Sequence, residues 1–276
     1  MDLLNILPVI TLLLYAMSSV LLLSAVIFHL ERVLTIGFIV SMIGLAAHVI
    51  GAVMRWLEVG HGPYLGFSDS VSSFALLSVA AFALLVWWKP SLKILGSLVM
   101  PIAFALMSAS LMAPASDTSI TVALASVWLG IHVFFANCSY VALFLSFVLA
   151  VLTLLRSRGI GKDSKLFARL PGDSVIDDLI FRFVALGFIL WTLMILTGAV
   201  WANEAWGRYW GWDPIETWSL IVWILYALIL HLRLTLGWKG KRFAVLAAVA
   251  MPIMLFSLIG VPFLWNSIHA AYLNFG

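Results

Sequence analysis

Eight long apolar runs, separated by short polar segments, divide the chain at about residues 6–28, 33–57, 71–88, 94–113, 122–155, 180–200, 217–236 and 243–263. Each is close to or above the roughly 20 residues that a helix needs to cross the hydrocarbon core of a bilayer. Backbone polar groups in lipid must bond to one another, so such runs read as helices. The expected fold is all-α: a polytopic integral membrane helix bundle of about eight transmembrane helices, one domain over 1–276. The fifth run is too long for a perpendicular crossing and is expected to project from the bilayer. The first lacks a basic n-region and a small-residue cleavage site, so it is expected to be retained as a span.

Charge orients the spans. One set of alternate loops holds Arg32, Lys89, Lys93, Arg156, Arg158, Lys162, Lys165, Arg169, Arg182, Arg233, Lys239, Lys241 and Arg242, thirteen of the fifteen basic residues. The other set holds only Arg55 and Arg208. The positive-inside rule places the first set in the cytoplasm and both termini outside, N-out/C-out. Segment 156–182 is then a solvated cytoplasmic connector with room for a short surface helix, and 201–218 is an external loop.

Composition narrows the class. The chain is 64% hydrophobic and 10% charged, with mean hydropathy +1.15, whereas a soluble domain carries about 25% charge. The net charge of +3 is spread over loops and does not point to nucleic acid. The single cysteine, Cys138, excludes an intrachain disulfide and Cys-x-x-Cys chemistry, and reads as a small core residue.

Five of the thirteen tryptophans fall in 201–218, at Trp201, Trp206, Trp210, Trp212 and Trp218. An interfacial belt accounts for one or two of them. Such a density of rigid aromatic area suits a large planar apolar ligand, and porphyrin is the obvious candidate.

Histidine is the usual axial ligand of haem iron, and topology sorts the six histidines. His132 lies near the outer end of the fifth run, with Trp128 four residues earlier on the same helical face. His269 lies in the external C-terminal tail. The pair bracket the tryptophan-rich loop and are expected to converge on it as two axial ligands. For each alone, the plain alternative is an interfacial histidine bonded to backbone or water. His231, in the seventh span, lies roughly 20 Å deeper at about 1.5 Å per residue. It suits either a ligand at an entry point or a helix-end histidine paired with a carbonyl. His48 reads as a hydrogen-bonded core histidine, His29 as an interfacial anchor and His61 as a turn residue.

Asp213-Pro214-Ile215-Glu216 has the form of a capped helix start. The same carboxylates could accept bonds from a ligand or from loop donors. Arg208 could pair with a haem propionate or with Glu204 four residues earlier.

The stretch Trp201…Trp206-Gly-Arg-Tyr-Trp210-Gly-Trp212-Asp213-Pro-Ile-Glu216-Thr-Trp218 resembles the tryptophan-rich WWD domain of haem-handling proteins in cytochrome c maturation, in the form of the CcsA (ResC) branch. Trp128-x-x-x-His132 and His269 are similar to the two external histidines that flank that domain, and Tyr226-Ala-Leu-Ile-Leu-His231-Leu-Arg233 is similar to the segment with its transmembrane histidine. Arg55-Trp56…Gly60-His61-Gly62-Pro63 also matches, although Gly66-Phe67-Ser68-Asp69-Ser70 stands where the family has Asn-x-Tyr-Glu-Ser, and Ala-Ala-Tyr follows His269 where Ser-Tyr-Gly is commoner. The resemblance runs from about residue 40 to the end.

It implies a haem lyase of the holocytochrome c synthase type, working with a CcsB (ResB)-type membrane partner. Haem b would enter from the cytoplasmic side at His231. It would then be held outside by His132 and His269 over Trp206, Trp210 and Trp212, with Trp128, Arg208 and Asp213 at the site, and be joined by thioethers to the Cys-x-x-Cys-His motif of apocytochrome c. A thioredoxin-like system would supply thiol reductant. The expected location is a bacterial inner membrane or a chloroplast thylakoid. The alternatives are a haem translocator or chaperone without ligation activity, a HemX-type regulator of haem synthesis, and a haem-b electron-transfer subunit.

Overall fold

The computed structural model describes residues 3–62, 65–112, 126–161 and 165–268. Helices α1 (Leu3–Ile27), α2 (Glu31–Val59) and α3 (Gly66–Trp88) are followed by a 3-10 stretch (Pro90–Leu95) that leads into α4 (Gly96–Met112). Then come α5 (Val127–Ser157), a single turn α6 (Lys165–Ala168), α7 (Asp173–Trp206), α8 (Pro214–Thr235) and α9 (Lys241–Leu255). A π-helical turn (Phe256–Gly260) and a last short helix, α10 (Val261–Leu264), close the described chain. Among the described residues eight helices are long and apolar enough to cross a membrane, and the protein is an integral membrane helix bundle.

The bundle has two halves. Helices α1 to α4 pack together, as do α5, α7, α8 and α9, and the α3–α5 contact joins them. α5 is the most deeply buried span and α8 the least. Phe74 of α3 meets Tyr140 and Phe144 of α5 at ring distances of 5.8 and 6.1 Å. At the basic end, Arg169 bridges to Glu31 across the halves at 3.1 Å. Arg156, in the last turn of α5, donates to the Pro171 carbonyl at 2.9 Å and pairs with Asp173 at the start of α7.

α7 is longer than its apolar run suggests. Its 34 residues span roughly 51 Å at about 1.5 Å per residue, well beyond a hydrocarbon core of about 30 Å. It begins at Asp173, inside the segment read as connector, because Ile176, Leu179 and Ile180 form a buried stripe among Asp173, Asp177 and Asp178. A window that averages hydropathy blurs such an amphipathic turn. At its other end α7 runs on through Trp206 and stops at Gly207, whose φ of +72° is left-handed backbone that glycine adopts without strain. The tryptophan-rich interval is therefore helix end, a short loop over 207–213, and helix start.

Candidate functional site

At the end of the bundle away from most basic residues, the two halves part around a cavity of about 210 Å³. α3 contributes Val71 and Phe74, α5 His132 and Tyr140, and α7 Trp191 and Trp201. Trp210, Glu216 and the π turn complete the wall. The lining is mostly aliphatic and aromatic, which is the character of a site for a large apolar ligand.

His132 is the histidine of this wall. Its Nδ1 lies 2.8 Å from the Met194 carbonyl oxygen. A carbonyl only accepts, so Nδ1 carries the proton and Nε2 of the neutral ring carries the lone pair. Metal-ligating histidines are held in this way, with the second nitrogen donating to a carbonyl. The imidazole lies nearly parallel to Trp201, at 17° and 6.4 Å. It approaches α7 so closely because residue 198 is glycine: a Cβ there would sit 2.6 Å from Nδ1 and 2.8 Å from Cε1. Trp128 lies one turn away and packs against the small buried cluster of Leu65, Leu129 and Trp201, as Val133 and Trp206 do. Ser126 caps α5 through the Trp128 amide and donates to Glu204 at 2.5 Å. Glu204 is thus tied to α5, and Arg208 forms no ion pair among the described residues; its guanidinium lies over Gly211, where a Cβ would overlap it.

Two carboxylates build the loop. One oxygen of the buried Glu216 accepts from the Gly211 amide at 2.7 Å and from the Asp213 amide at 3.2 Å. The amides on either side of Trp212 are thereby clamped. Trp212 adopts φ +57°, a conformation that costs a bulky residue about 1–3 kcal/mol and persists only when its surroundings over-determine it. Asp213 completes the expected capping box and bonds the Ile215 amide at 3.0 Å. It also accepts from Ser267 Oγ at 2.6 Å and from the Ile268 amide at 3.0 Å.

The indoles do not form one flat sheet. Trp201 and Trp206 meet edge to face at 4.9 Å, and Trp210 and Trp212 lie nearly perpendicular at 5.8 Å. Trp210 lines the cavity, and its Nε1 is buried with no acceptor among the described residues. Trp212 is 69% exposed and points away from the core. Trp218, Phe256 and Trp265 form a third cluster between α8, the π turn and the C-terminal segment. His269 lies outside the described residues, which reach its neighbour Ile268.

His231 is exposed on the outer face of α8, with Thr235 Oγ1 at 3.3 Å from its Nδ1. Arg233, two residues on, faces the opposite way. It pairs with Asp177 of α7 at 2.7 Å, both side chains being largely buried, and lies over the Phe181 and Phe243 rings. Asp177 also accepts from the Gly240 amide at 2.7 Å. Counting Arg233 as a loop charge missed this pair, and the signal available was an acidic residue inside the connector.

His48 is a core histidine, bonded to Tyr15 at 3.1 Å and to Ser72 at 2.9 Å. His61 is buried against the Gly62 carbonyl, and His29 is exposed in a turn with φ +58°. Asp69, near the start of α3, pairs with Arg55 of α2 at 2.8 Å. Among the described residues no three His, Cys, Asp or Glu side chains converge on a metal site.

Comparison with known proteins agrees with this architecture. The family described as "Cytochrome C assembly protein" matches residues 7–269. The chain is 33% identical to the cytochrome c biogenesis protein CcsA of Guillardia theta, over 87% of this chain and 87% of that one. It is 35% identical to the CcsA of Prochlorococcus marinus strain SARG, over 80% and 79%. Among solved structures, the cytochrome c haem lyase CcmF superposes on 99% of this chain with a TM-score of 0.70 at 18% identity; this chain spans 48% of CcmF.

Proposed function

The chain belongs to the cytochrome c assembly protein family and acts in cytochrome c maturation, and from that premise we propose that it is the CcsA-type subunit of a cytochrome c synthase. It delivers haem b, as substrate, to the Cys-x-x-Cys-His motif of apocytochrome c and catalyses its covalent attachment on the extracytoplasmic side.

The observation that carries this reading is His132, with its proton fixed at Nδ1 by the Met194 carbonyl at 2.8 Å, in the wall of an apolar cavity beside the tryptophan-rich loop. Nε2 is then the axial donor to iron, and His269 supplies the second. Trp201, Trp206 and Trp210, with Trp128 behind them, bound the macrocycle, and Trp212 faces the incoming protein. The Trp210 Nε1–H, which has no acceptor among the described residues, and Arg208 suit propionate oxygens. Asp213 serves the site through the loop it builds. His231, on the outer face of α8 at the basic end, takes haem earlier in its route, next to a CcsB-type partner.

In the attachment step each substrate thiol adds across a haem vinyl group. One C–S bond forms and the thiol proton goes to the other vinyl carbon, so there is no net redox change. The thiols must be reduced, which calls for a thioredoxin-like supply. The substrate histidine then replaces one of the two protein imidazoles. The protein contributes ligation and positioning. The positive-inside rule supports placing the cavity end outside.

The test is to purify the chain with its membrane partner and supply apocytochrome c and reduced haem. Haem that stays bound to the cytochrome through denaturing electrophoresis supports the reading, and His132→Ala should abolish it. Delivery of haem without a covalent bond would make the protein a haem chaperone.

A further inference from the structure

We infer that Trp212 is a docking residue for the protein substrate in its unfolded state: the indole is held out beside the cavity to bind an apolar side chain of apocytochrome c near the Cys-x-x-Cys-His motif. This inference rests on the proposed synthase role and deepens it, by assigning recognition of the polypeptide to one residue.

Packing does not explain this side chain. Trp212 is mostly exposed, so burial offsets little of the strain in its backbone. Its φ of +57° lies where a bulky residue stays only if its surroundings enforce it. Glu216 supplies the enforcement, through the amides of Gly211 at 2.7 Å and Asp213 at 3.2 Å. Asp213 is fixed in turn by its bond to the Ile215 amide at the start of α8. Glycine would take the same φ without strain, yet the chain places its largest side chain there. A tryptophan that only faces lipid headgroups needs no such backbone: Trp87 and Trp88 are exposed on the ordinary last turn of α3. On its inner side Trp212 meets Trp210 nearly at right angles at 5.8 Å, and Trp210 lines the cavity. Tyr209, on the same loop, is also exposed. A polypeptide that brings its thiols to the cavity beside Trp210 lies against these rings.

The occupant is an unfolded chain. A cytochrome without haem lacks the group around which its core packs, so apolar side chains near the attachment motif stay in water until haem is bound. A rigid indole offers them a large contact area at small entropic cost. Once haem is attached and the chain folds around it, those side chains leave the indole for the new core. The same residue thus favours the substrate over the product.

Apocytochrome c with both motif cysteines replaced by serine can bind without reacting. Its affinity for the haem-loaded complex of this chain with its membrane partner is measured by fluorescence anisotropy in detergent. Trp212→Ala should weaken binding about 10-fold or more, Trp212→Phe should weaken it less, and both should keep the wild-type haem spectrum. Trp212→Gly should bind as weakly as Trp212→Ala but melt at a higher temperature, because glycine relieves the positive φ. With reactive apocytochrome c, Trp212→Ala should raise KM and leave kcat near that of wild type. Holocytochrome c should bind wild type and Trp212→Ala equally weakly. Unchanged affinity in Trp212→Ala, the result for a lipid-facing indole, overturns the inference. So does an altered haem spectrum, which would make Trp212 part of the haem site. Wild-type protein that binds apocytochrome c but forms no thioether overturns the synthase reading instead, and the binding comparison still decides the role of Trp212.

Discussion

Gly198→Ala tests the geometry at its tightest point. The added methyl would lie 2.6 Å from Nδ1 and 2.8 Å from Cε1 of His132. Ordinary carbon contacts begin near 3.5 Å, so the ring must retreat by roughly 0.7–0.9 Å. A movement of that size stretches the 2.8 Å bond to Met194 to about 3.5 Å, outside hydrogen-bonding range. Losing the group that orients a metal-bound histidine lowers metal affinity about 10- to 100-fold. Stability responds differently. Overpacking costs about 1–3 kcal/mol, and replacing glycine by alanine inside a helix returns about 1 kcal/mol. The expected signature is thus a large loss of haem affinity with little change in melting temperature. Optical titration of purified protein with haem measures the first, and thermal unfolding in detergent the second. Gly187→Ala is the control, since its methyl strains the same α5–α7 interface against Leu143, away from the imidazole. Wild-type affinity in Gly198→Ala, or equal losses in both variants, would refute the reasoning.

Two further outcomes concern the basic end. Asp177→Ala should destabilise the protein by about 3–5 kcal/mol, because it strands the Arg233 guanidinium without its buried partner; a thermal shift no larger than that of an exposed substitution would contradict this. His231→Ala should leave stability within about 0.5 kcal/mol, as expected for an exposed position, yet lower haem loading at the outer site in cells. Normal loading there would remove His231 from the route.

The spans were legible because lipid demands long apolar runs, and all eight match helices. The start of α8 was legible because Asp213, Pro214 and Glu216 are local chemistry. What escaped was fixed by distant partners. His132 was singled out as a residue, but its orientation depends on Met194 and Gly198, which no sequence window joins to it. The pairing of Arg208 with Glu204 was reasonable at that spacing, yet Ser126 at the start of α5 takes the carboxylate. The aromatic surface resolved into crossed pairs, in the edge-to-face arrangement that ring quadrupoles favour over a face-to-face stack.

The long α7 joins the two ends of the bundle. Asp177 anchors it near one end through Arg233, while Gly198 and the Met194 carbonyl cradle His132 near the other. The arm between Asp177 and Gly198 is roughly 31 Å long at about 1.5 Å per residue. One helix thus carries both the buried ion pair of the basic end and the groove in which His132 sits, so a substitution at either end acts on a shared element.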